Sequence, residues 1–148
     1  MSMVSPWRSS NRLWSTGPVE RMLQGYRVYV TDWADAKTVP LHEGTFDLDD
    51  YIDYVIGYLE HIGPDAQGGG AHVMAVCQPS VPVFAATAIM NRDGHPCTPR
   101  TLTMMGGPID TRCSPTSVND LAMDRPIEWF RHNVIATVPM QYRGAGRR

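Results

Sequence analysis

The run Ala71-His72-Val73-Met74-Ala75-Val76-Cys77-Gln78-Pro79-Ser80-Val81-Pro82 constrains this chain more than any other stretch. A short apolar segment ends abruptly at a cysteine and passes into small, apolar, Pro-punctuated sequence that continues to about Met90. Its length and its breakers predict a strand, a tight turn and a helix. A side chain held at such a turn stands exposed at the strand end, and the next backbone N–H is available to a developing oxyanion. Cys77 occupies that position. A cysteine just before a helix N-terminus sits where the helix dipole favours the thiolate, which is the reactive form. The competing reading is cysteine as a small apolar core residue, its commonest role.

The rest of the chain supplies a frame for that turn. Residues 1–17 show neither helical nor strand periodicity and are expected to be irregular, with Trp7 and Trp14 favouring docking. Pro18-Val19-Glu20-Arg21-Met22-Leu23-Gln24 predicts a short helix ended by Gly25. The aromatic and β-branched residues at 26–33 predict a strand. Residues 46–62 carry Leu48, Ile52, Val55, Ile56, Leu59 and Ile62 at helical spacing, with Asp47 as N-cap and Asp49 and Asp50 in the first turn. A capped helix start accounts for all three carboxylates without a metal. Gly63-Pro64 stops the helix, and Gln67-Gly68-Gly69-Gly70 lacks the Lys-Ser/Thr of a phosphate loop, so it reads as a connector.

Residues 101–105 predict a second buried strand between Pro99-Arg100 and Gly106-Gly107-Pro108. Ser114-Pro115 and Asp124-Arg125-Pro126 open two helices, the second carrying Ile127, Trp129, Phe130 and Ile135, which together suggest a cap over a site. The tail from Gln141 to Arg148 is rich in Gly and Arg and reads as solvated. Strands alternating with helices imply an α/β domain with a mostly parallel sheet and flanking helices. The expected divisions are an irregular segment at 1–17, a core at 18–113 and a cap-like segment with a basic tail at 114–148.

Composition excludes several classes of function. The 148 residues balance 13 basic against 15 acidic side chains, leaving no basic field for nucleic acid or an anionic membrane. No apolar run is long enough to cross a bilayer, and residues 1–11 lack the apolar core of a secretory signal, so the cytoplasm is the expected compartment. Cys77, Cys97 and Cys113 are an odd number without CxxC spacing, which argues against a disulfide framework and a zinc ribbon. No HxH or HExxH spacing occurs, so neither a metal nor another cofactor is expected. Cys97 and Cys113 follow no strand and are read as non-catalytic. Asp110 and His132 come after Cys77 in chain order, as the acid and base of a triad would, but order is all that recommends them. A histidine within an amphipathic helix is more simply a surface residue.

Several segments taken together resemble the intracellular polyhydroxyalkanoate (poly-3-hydroxybutyrate) depolymerases, an α/β-hydrolase family with a cysteine nucleophile. They are Val28-Tyr29-Val30-Thr31-Asp32-Trp33-Ala34-Asp35-Ala36, Val39-Pro40-Leu41, Phe46-Asp47-Leu48-Asp49-Asp50-Tyr51-Ile52-Asp53-Tyr54-Val55, Ala75-Val76-Cys77-Gln78-Pro79-Ser80-Val81-Pro82, Met105-Gly106-Gly107-Pro108-Ile109-Asp110-Thr111-Arg112 and Glu128-Trp129-Phe130. The resemblance spans about residues 18–148. It implies a partial α/β-hydrolase fold with the start of a cap region. It also implies that Cys77 attacks a polyester carbonyl, that the Gln78 backbone N–H is one oxyanion donor, and that the partner is the polyester or the surface of its storage granule. Ala75 and Pro79 stand where the general elbow motif has small residues, in keeping with this family's own pattern.

The resemblance also carries expectations of absence. The family's triad Asp and His come from a part beyond the matched segment, and its Met-Ser-Gly-His-like run near the oxyanion loop is not found in residues 1–17. The family's sheet order would leave a gap between the strands at 26–33 and 71–76, and unpaired central edges are costly. The chain is therefore expected to be a fragment with little turnover by itself. Two alternatives accompany this reading: a cysteine-dependent polyester synthase or acyltransferase, and a non-catalytic remnant that binds the granule or a partner. Polymer side-chain length is not legible, and a homo-oligomer is left open.

Overall fold

Where the hydrophobic period is strongest, the elements follow it. The computed structural model describes residues 4–6, 18–34, 39, 43–63, 70–113 and 115–135. In chain order the elements are β1 (Val4–Pro6), α1 (Pro18–Leu23), β2 (Tyr29–Thr31), α2 (Leu48–Ile62), β3 (His72–Val76), α3 (Ser80–Arg92), β4 (Thr101–Met105), α4 (Ser117–Asp124) and α5 (Ile127–Asn133). The chain divides into two units, residues 1–43 with 138–148, and residues 44–137.

In the first unit β1 pairs antiparallel with β2, Ser5 opposite Val30. A strand thus lies inside the stretch expected to be irregular. The strand expected over 26–33 shrinks to Tyr29–Thr31, because Gln24, Gly25 and Tyr26 close the end of α1, with the Tyr26 N–H donating to the Met22 carbonyl at 2.8 Å.

In the second unit β3 and β4 run parallel with Val73 opposite Leu102 and Ala75 opposite Met104. Helix α3 connects them and packs on the pair, and α2 packs on α3. The core consists of Ile52, Val55 and Leu59 from α2, Ala75 from β3, and Val83, Ala86 and Met90 from α3, with Val73 and Leu102 against it. These positions recur every three or four residues along the helices and every two along β3, which is why one face of each element is buried. Helix α2 starts where the carboxylates predict. The Asp47 carboxylate accepts from the Asp49 and Asp50 N–H groups at 2.9 and 3.2 Å, and the Asp50 carboxylate accepts from the Asp47 N–H at 2.8 Å. Asp47→Ala removes the acceptor of the Asp49 and Asp50 N–H bonds and should lower stability by about 1 kcal/mol, read by chemical denaturation.

The α/β expectation holds at the level of a parallel strand pair with flanking helices. The single mostly parallel sheet does not: the described strands form two separate two-stranded sheets, one of them antiparallel. The expectation of a buried strand at 101–105 is also corrected, since only Leu102 is partly covered. Helices shield one face of the pair. Met74, Val76 and Met105 alternate onto the other and keep between 43% and 55% of their surface exposed. Helices α4 and α5 begin at Ser117 and Ile127, after Thr116 and Pro126 as caps, and bury no residue. The Gln67-Gly68-Gly69 connector and the 141–148 tail lie outside the described residues.

Candidate active site

Parallel strands bring their carboxyl ends to one edge, where open α/β sheets generally bind ligands. Here that edge carries Cys77 after β3 and Gly106-Gly107 after β4. Cys77 is exposed and adopts φ 64, the one non-glycine residue with positive φ among the described residues. A left-handed backbone at an L-residue is strained and persists only where the surroundings over-determine it.

Four hydrogen bonds do so. The Cys77 N–H donates to the Met105 carbonyl at 2.7 Å, tying the turn to the end of β4. The Ser80 N–H donates to the Cys77 carbonyl at 3.0 Å, and the Val81 N–H to the Gln78 carbonyl at 3.1 Å, so the turn winds directly into α3. The Ser80 side chain is fully buried, and its hydroxyl donates back to the Ala75 carbonyl at 3.2 Å. Gln78 is exposed, and none of these bonds uses its N–H.

The turn therefore holds Cys77 in a strained backbone conformation. Its cost is measurable: Cys77→Gly should be more stable than Cys77→Ala by about 1 kcal/mol in denaturant unfolding, because both lose the thiol and only glycine tolerates this φ without strain. Equal stability would show that the turn relaxes around alanine.

The other candidates are placed elsewhere. His72 begins β3, so the length of the five-residue strand separates it from Cys77, and its Nδ1 lies 2.7 Å from the Thr101 hydroxyl. His95 follows α3 on the way back to the start of β4. Its Nε2 lies 3.1 Å from the Glu60 carboxylate, and its Nδ1 accepts the Cys97 N–H at 3.2 Å. That pair of contacts fits the Nε2–H tautomer, with Nδ1 as the acceptor.

Cys97 is half-buried against the end of α2, its Sγ 2.5 Å from where a Cβ on Gly63 would stand. Cys113 is exposed in a turn whose N–H donates to the Asp110 carbonyl. His132 is exposed on α5. His42 lies outside the described residues.

Asp110 is engaged by its own neighbour. The Arg112 guanidinium donates to both of its carboxylate oxygens at 2.9 Å, and the Arg112 N–H adds a third bond at 3.0 Å. The guanidinium bond, followed by the backbone bond, holds the Asp110 carboxyl below the usual carboxylate range. The pair is exposed, so it is a local loop brace.

Sequence reasoning missed Ser80 and Gly107. Ser80 reads as an ordinary residue at a helix start, and Gly106-Gly107 as a strand stop, yet a Cβ on Gly107 would overlap the Ser80 side chain and approach the Cys77 carbonyl oxygen to 3.0 Å. The paired glycines that end the strand of residues 101–105 are the signal that could have drawn attention to them.

Among the described residues no cluster of His, Cys, Asp or Glu could hold a metal, and no helix is long and apolar enough to cross a membrane. No curated protein and no solved structure matches the chain. Residues 106–148 match the model of a family described as PHB de-polymerase C-terminus. The matched stretch opens at Gly106-Gly107, beside the Cys77 turn, and runs through α4 and α5. By that match, residues 106–148 of this chain are similar to the C-terminal part of the PHB depolymerases.

Proposed function

We propose that this chain is the nucleophile-bearing part of a polyhydroxyalkanoate depolymerase that cleaves poly-3-hydroxybutyrate esters through an acyl-cysteine at Cys77. The observation that carries the reading is the left-handed, exposed Cys77 at the carboxyl edge of a parallel strand pair, with the family match beginning beside it. In this reading the Cys77 sulfur, as thiolate, adds to the ester carbonyl carbon, and the Gln78 N–H donates to the oxyanion that forms. The C–O bond to the hydroxyl-bearing part of the polymer then breaks, and that oxygen leaves with a proton. Water cleaves the resulting thioester, giving a carboxylic acid and restoring the thiol.

The described histidines are placed away from this turn or on the exposed α5, so acylation should run ahead of turnover. The test is mass spectrometry after incubation with an activated hydroxybutyryl ester. One acyl group on the Cys77 peptide supports the reading, and an acyl group confined to Cys97 or Cys113 overturns it. Release of free hydroxyacid, against chain growth from a hydroxyacyl thioester, separates the depolymerase from a synthase.

The uncovered sheet face of Met74, Val76 and Met105 favours a second reading, binding to the granule surface. Our reading places the protein with its polymer in the cytoplasm. A fluorescent fusion that stays diffuse in polymer-containing cells would reject granule binding.

A further inference from the structure

We infer that Gly107 and Ser80 form a clamp that sets the geometry of the Cys77 turn, with Gly107 as a positioning residue whose missing side chain the site requires; this rests on Cys77 as nucleophile. The turn has two walls. On the α3 side Ser80 closes it twice, through its N–H to the Cys77 carbonyl and through its buried hydroxyl to the Ala75 carbonyl. On the β4 side the Met105 carbonyl takes the Cys77 N–H, and the chain then passes so close that Gly107 lies against the Ser80 side chain and the Cys77 carbonyl. Any Cβ at 107 must drive these walls apart, because its nearest neighbours include a fully buried side chain and backbone rather than a flexible tip.

The neighbouring glycine shows that this demand is local. Gly106 has φ 64 but nothing within 4 Å of a Cβ, so its requirement is conformational. Gly107 has no positive φ, and its requirement is space. A displaced turn moves the Cys77 sulfur relative to the Gln78 N–H and the start of α3, and a misplacement of about 1 Å can cost on the order of 100-fold in rate.

The experiment alkylates the full chain with iodoacetamide and follows Cys77, Cys97 and Cys113 by peptide mass spectrometry, alongside hydrogen exchange of the peptide over residues 75–81. Gly107→Ala should lower the Cys77-to-Cys113 rate ratio on the order of 10-fold and speed exchange at the turn. Gly106→Ala, which strains the backbone without entering the turn, should leave the ratio within about twofold. Ser80→Gly combined with Gly107→Ala removes the side chain that a new methyl would strike and should recover part of the ratio.

Faster exchange in Gly107→Ala that this double variant reverses supports the clamp. An unchanged ratio with unchanged exchange overturns it, and so does an equal loss in both alanine variants that follows their stability. Should Gly107→Ala fail to fold, Cys97 becomes as reactive as Cys113; Ser80→Ala, which only removes the hydroxyl, then decides by the same ratio and exchange. A wild-type Cys77 no faster than Cys113 counts against the nucleophile reading, whereas the exchange and its reversal still report the clamp.

Discussion

Cys77→Ala should abolish acyl-enzyme formation and leave the fold intact. The thiol is exposed and has no place in the buried core, so its removal opens no cavity. The effect on chemistry should be large, because removing a nucleophile takes away a whole covalent route; in a serine protease with such a machinery the loss is about 10⁶-fold in kcat. In this chain the measurable quantity is a yield: one acyl group on the wild-type peptide and none on the variant, with superimposable denaturation curves. Ester hydrolysis that persists in Cys77→Ala would assign the activity to another residue. Cys97→Ser and Cys113→Ser should keep the wild-type yield, since Cys97 packs against Gly63 and Cys113 sits in the loop braced by Asp110 and Arg112.

Met90→Ala should be the costliest of the core truncations, lowering stability by about 3 kcal/mol, which for a unit of this size corresponds to a fall in Tm on the order of 10 °C. Met90 is the largest fully buried side chain of the core, 1% exposed, and it lies on the face of α3 that also presents Val83 and Ala86. Its removal leaves a void that α2 and α3 must close by moving together, and close-packed interiors do so only in part. Calorimetry and urea unfolding check the value. Acylation of Cys77 measured well below the new midpoint should stay near wild type, since Met90 lies near the end of α3 and the elbow at its start. A loss below about 1 kcal/mol would mean that the core around Met90 is soft enough to collapse on alanine.

Sequence and structure agree where burial is periodic and local. Helix α2 was legible because its apolar stripe and its Asp47 cap point to the same boundaries. The order β3, Cys77, α3, β4 was legible because apolar runs end at breakers.

What stayed hidden depends on partners distant in sequence. β1 carries Ser5 and Pro6 in three residues and has no pattern of its own; it exists through pairing with β2. β4 reads as buried because its residues are apolar, but one helical layer on a two-stranded pair can cover only one face. The positive φ of Cys77 is invisible in a sequence, since cysteine has no preference for that region. The need for Gly107 appears only when β4 delivers it against Ser80. Order in the chain alone recommended Asp110, and the arginine two positions on donates to its carboxylate.

The hydrogen bond from Cys77 to Met105 joins residues far apart in the chain, and that has a kinetic meaning. Helix α3 can form from local contacts, but the left-handed turn at its start is held only after β4 has docked in register, a loop closure that comes later and more slowly than helix growth. Circular dichroism would therefore report a nearly complete helix signal while the Cys77 turn is still unformed. The Cys77 turn should mature with the strand pairing, so hydrogen exchange at the Cys77 N–H, and not helicity, is the observable that tells a finished molecule from an almost finished one.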